Sequence, residues 1–69
     1  MHLRHLRDAE RHVAEGERHI ADQEERIATM DRAGCETELA RELLVSFRAA
    51  LTAHVAHRDR IICEINRRS

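Results

Sequence analysis

Proline, tryptophan, tyrosine and lysine are all missing from this 69-residue chain, and Phe47 is its only aromatic side chain. Each absence removes a class of protein. Without proline, only Gly16 and Gly34 can interrupt a long helix. With Phe47 alone there is no aromatic platform for stacking bases, which argues against nucleic acid as a partner. No glycine-rich phosphate loop and no nucleophile set beside a base can be found, so neither an enzyme nor a resident cofactor is expected. No apolar run approaches membrane-spanning length, and the start, Met1-His2-Leu3-Arg4-His5, has no apolar h-region. A cytoplasmic protein with no membrane partner is the expectation. Cysteine occurs only at Cys35 and Cys63, which is no disulfide framework. On helical arms those two residues lie roughly 40 Å apart at about 1.5 Å per residue. A bridge needs Cα atoms within about 7 Å, so reduced, partly buried thiols are expected, or a contact between molecules.

What is present is a heptad repeat. Arg-His-aliphatic occurs three times, seven residues apart, as Arg4-His5-Leu6, Arg11-His12-Val13 and Arg18-His19-Ile20. Acids follow each histidine at the third position (Asp8, Glu15, Asp22) and the fifth (Glu10, Glu17, Glu24). Seven residues make about two helical turns, so each residue type forms a stripe along one helix. The acid stripes read mainly as a solvated face, with local pairs such as Arg11–Glu15 adding a few tenths of a kcal/mol each.

The spacing predicts a helix over about 3–33, a turn at about 34–37 and a second helix over about 38–66. Gly34 closes the first helix in the left-handed conformation, and Thr37 is the candidate N-cap of the second. Two arms of nearly equal length and a short connection make an all-α, antiparallel, coiled-coil-like hairpin forming a single domain over 1–69.

The arms are unequally apolar. On the first, Leu6, Val13, Ile20 and Ile27 form one heptad row beside Ala9, Gly16, Gln23 and Met30. On the second, Leu43, Leu44, Phe47, Ala50, Leu51, Val55, Ile61, Ile62 and Ile65 span roughly 140°, more than one partner helix covers. A core of this size supplies only ~3–5 kcal/mol. A two-fold dimer completing a four-helix bundle is the simplest way to cover the surplus. The predicted core and dimer residues are Leu6, Val13, Gly16, Ile20, Ile27, Leu44, Phe47, Leu51, Val55 and Ile62.

Arg58 interrupts the second arc, with His54 one turn before it and His57 at the edge. With the turn centred near 35, facing residues carry numbers adding to about 70, which sets Arg58 across from His12 and His54 across from Gly16. The expectation is therefore one polar layer of His12, Glu15, His54, His57 and Arg58. Its structural reading is a hydrogen-bonded layer in which Arg58 pairs with Glu15 or Asp8 and fixes register. Its chemical reading is a metal site using His12, Glu15, His54 and His57, against which Arg58 would repel a divalent ion. A third reading is an anion or nucleic-acid site on Arg58 and protonated histidines.

Charge is segregated along the hairpin. Residues 1–14 and 58–69 hold seven arginines against four acids, whereas residues 15–42 hold four against nine. A dimer with its ends reversed sets each basic end beside an acidic one.

The segments His12-Val13-Ala14-Glu15-Gly16-Glu17-Arg18-His19-Ile20, Thr37-Glu38-Leu39-Ala40-Arg41-Glu42-Leu43-Leu44 and His54-Val55-Ala56-His57-Arg58-Asp59-Arg60-Ile61 resemble a group of short, uncharacterised bacterial helical-hairpin proteins. The resemblance spans most of the chain and implies a complete small protein; it implies no activity. The leading expectation is a self-associating interaction or scaffolding module whose further protein partner is unknown.

Overall fold

The computed structural model describes residues 2–68. Two α-helices of 31 residues each, α1 (His2–Arg32) and α2 (Glu38–Arg68), run antiparallel in a hairpin 55 Å long and 14 × 13 Å across. No helix of the described residues is long and apolar enough to cross a membrane.

The break between the helices is built locally. Gly34 takes φ +76°, the left-handed region that a Cβ disfavours. The Gly34 amide donates to the Asp31 carbonyl at 3.1 Å and the Cys35 amide to the Met30 carbonyl at 2.9 Å. That pair of bonds is the Schellman closure, and it satisfies two carbonyls that the end of α1 leaves without helical partners. The Arg41 amide then donates to the Thr37 carbonyl at 2.9 Å, the first helical bond of α2, which makes Thr37 its N-cap by backbone. The Thr37 hydroxyl does something else: it accepts from Arg41 Nε at 3.0 Å. Arg41 also reaches Asp31 at 2.7 Å, so one guanidinium ties both sides of the turn. Space around Gly34 is open, and only its conformation resists substitution. Gly34→Ala should therefore lower stability by about 1 kcal/mol, read as a lower urea midpoint at unchanged slope. An unchanged midpoint would mean that the turn does not need the left-handed residue.

The helices pack along two seams with steps of three and four residues. On α1 the seam runs Leu6, Ala9, Val13, Gly16, Ile20, Gln23, Ile27 and Met30; opposite, it runs from the N-cap Thr37 along α2 through Ala40, Leu44, Phe47, Leu51, His54, Arg58, Ile61 and Ile65. All of these are buried or half-buried. Of the expected core, Val13, Ile27 and Leu44 are buried, joined by Ala9; Leu6, Gly16, Ile20, Phe47, Leu51, Val55 and Ile62 are only half-buried. Gln23 is the one buried polar side chain among the described residues, and its amide donates to the Ala40 carbonyl at 2.9 Å. That bond crosses from α1 to α2 and pins the register near the turn.

The register differs from the one expected from sequence. His12 lies against His54, and a Cβ added at Gly16 would stand 3.2 Å from Leu51 Cδ1, so facing numbers add to 66 or 67 rather than 70. The connection itself lies where expected, between Arg32 and Glu38; the chain reverses at the left-handed Gly34 closure, ahead of its midpoint, and α2 sits about one helical turn from the expected pairing. Both cysteines are free and exposed, not partly buried.

Candidate functional site

The seam has two flanks, and they differ in chemistry. One is closed by ion pairs between the helices, Arg48–Glu24 at 3.0 Å and Arg41–Asp31 at 2.7 Å. Glu24 belongs to the acid stripe that reads from sequence as a solvated face, yet it crosses to α2. Both pairs are about half exposed, so they steer register more than they stabilise.

The other flank carries the histidine row. Its central groove is lined by His12, Glu15 and His19 of α1 and by Phe47, Ala50 and His54 of α2, with Gly16 at its floor. His12 and His54 approach with ring centroids 5.4 Å apart and planes inclined by 43°. His19 lies on Phe47 with centroids 5.8 Å apart. Nearer the turn the flank continues past His19 to Asp22, Arg26 and Leu43; nearer the open end it holds His5, Asp8, His57 and Glu64.

The five residues expected to form one layer are thus distributed. His12, Glu15 and His54 share the central groove, but His57 belongs to the neighbouring groove toward the open end. Arg58 does not pair with Glu15 or Asp8. Its Nε and Nη2 both donate to Asp59 Oδ1, at 3.2 and 3.1 Å, while Glu15 and Asp8 sit on Arg11 at 3.6 and 3.4 Å. The shifted register takes Arg58 away from Glu15, while Asp8, which lies beside its new level, is held by Arg11 at 3.4 Å. Position 58 falls level with Ala9, one turn away from His12, and the adjacent carboxylate is the nearer partner. Among the described residues no group of three or more His, Cys, Asp or Glu side chains is placed to hold a metal ion within one chain.

Sequence reasoning passed over His19 and Gln23. His19 was visible in the seven-residue histidine row, but only packing puts it in the same groove as His12 and His54. Gln23 stood in the small-residue row, where its polarity already called for a partner. No family model matches the chain, nor does any curated protein or solved structure.

Proposed function

We propose that this protein is a non-enzymatic helical hairpin that associates with a second copy of itself into a four-helix bundle and works as an interaction or scaffolding module. The observation that carries this reading is surface area. A monomer of 8.0 kDa folded to ordinary compactness exposes roughly 4,450 Å². This hairpin exposes 5493 Å², an excess of roughly 1,000 Å². One partner in a stable interface typically covers about 800 Å² per chain. Part of the uncovered surface is apolar: Leu39 is 80% and Leu43 45% exposed along one stripe of α2, and Val45 is 66% exposed on the opposite side.

The charge segregation favours a copy lying with its ends reversed, the arginines of one open end beside Glu36, Glu38 and Glu42 of the other's turn half. Sedimentation or light scattering at micromolar concentration should give twice the 8.0 kDa chain mass. A helical species of single-chain mass would overturn the reading. Salt reports the orientation, because exposed charges more than about 8–10 Å apart are screened at physiological ionic strength. Reversed ends attract, so the dimer should loosen as salt rises from 0.05 to 0.5 M, on the order of a Debye-length change from 14 to 4 Å. Like ends together would tighten instead.

A further inference from the structure

The central groove holds three imidazoles whose spacing is uneven. Two imidazoles bound to one tetrahedral Zn²⁺ at about 2.0–2.1 Å have ring centroids about 5 Å apart. His12 and His54 stand at 5.4 Å, so small rotations would let both reach one ion. His19 lies two turns along α1, about 10 Å from His12 at 1.5 Å per residue, and cannot join them within its own chain.

A second copy with reversed ends changes that arithmetic. Complete overlap of two hairpins sets the two-fold axis at mid-length, beside Gly16 on α1 and Ala50 on α2. This point is midway between His12 and His19. Rotation about it exchanges the two levels and brings the partner's His19 level with His12 and His54. Arg58, the cation nearest in the seam, keeps its guanidinium on Asp59 at 3.1 Å, so it does not occupy the place of an ion.

We propose that His12 and His54 of one copy, together with the partner's His19, bind a divalent transition metal of the Zn²⁺ class, with two such sites in each dimer. Imidazole donors suit this class, and a water takes the fourth position, since the Glu15 carboxylate is held by Arg11 at 3.6 Å. The site rests on the reversed-end dimer of the preceding reading, and it makes metal a ligand that strengthens that dimer, because only the dimer completes the donor set.

Co²⁺, with its visible absorption in tetrahedral sites, is the probe. Wild-type protein should bind about one Co²⁺ per chain and dimerise more tightly with it than in chelator. His19→Ala and the double variant His12→Ala/His54→Ala should each bind at least about tenfold more weakly. An equimolar mixture of the two should recover part of the signal, since one copy brings the intact pair and the other brings His19. His12 and His19 are exposed and His54 is half-buried, so helicity should survive, as circular dichroism will show; a parallel His→Gln set covers any variant that does not fold. No Co²⁺ uptake by wild type, wild-type uptake by either variant, or loss without recovery on mixing would each overturn the shared site. A dimer in chelator that takes up no Co²⁺ removes the metal site and leaves self-association standing. A monomer with and without Co²⁺ removes both.

Discussion

Leu44→Ala should unfold most of the protein at room temperature. Leu44 is one of only four buried hydrophobic residues among those described, and the other three are Ala9, Val13 and Ile27. Removing a buried leucine side chain costs ~2–5 kcal/mol, as lost transfer energy plus the cavity left behind. A core of this size supplies only ~3–5 kcal/mol, so the loss is of the same order as the whole stability. The slot opposite cannot easily collapse, since Ile27 and Ala28 beside it belong to a helix held in register by Arg48–Glu24 and Arg41–Asp31. Leu39→Ala is the control. That side chain is 80% exposed, and its truncation should cost the hairpin less than about 0.5 kcal/mol while weakening self-association. Far-UV circular dichroism melts at one fixed protein concentration separate the two, because a dimer's midpoint depends on concentration. Equal midpoints for wild type and Leu44→Ala, with Leu39→Ala unfolded, would mean that α2 rolls to bury its outer stripe and that the seam is misplaced.

The contrast between those leucines shows which parts of the molecule a sequence can reveal. The hairpin itself was legible, because its determinants are local: seven-residue spacing, no proline, and one glycine where the chain must turn. The exposed apolar surface of α2 was legible only in part: Leu43 belongs to the arc read from the sequence, but Leu39 and Val45, the most exposed large apolar side chains of that helix, are not among its residues. The cross-helix pairing was not. Register depends on the path of the turn as well as its length: the connection between Arg32 and Glu38 is as long as expected, yet the left-handed closure at Gly34 leaves facing numbers adding to 66 or 67. A shift of one turn keeps every apolar row facing inward, so the heptad pattern alone could not reveal it. It does change the polar partnerships expected between the helices. Arg58 pairs with Asp59 beside it and with neither Glu15 nor Asp8, Gly16 met Leu51 in place of His54, and His54 met His12. Exposure of Cys35 followed from its place in the closure, where its amide is used and its side chain is left outside.

Gly16 is where that shift can be read most sharply, through two substitutions of opposite sign. Glycine inside a helix costs about 0.8–1 kcal/mol relative to alanine. A Cβ at position 16 would meet only Leu51 Cδ1 at 3.2 Å, a terminal methyl of a half-buried side chain that can rotate by a few tenths of an ångström. Gly16→Ala should therefore raise stability, by roughly half a kcal/mol after that adjustment. Gly16→Leu gains the same propensity but must place three more carbons between the helices. Behind Cδ1 lie Leu51 Cβ at 3.7 Å and Leu51 Cα at 3.9 Å from the same point, and backbone cannot yield as a methyl does. Prising the helices apart at mid-length also loosens Val13 and Ile20 on either side, so the larger side chain should cost ~1–3 kcal/mol. Thermal midpoints should rank Ala above Gly above Leu at position 16. A higher midpoint for the leucine variant than for wild type would place Gly16 outside the seam, and with it the register that sets His12 against His54.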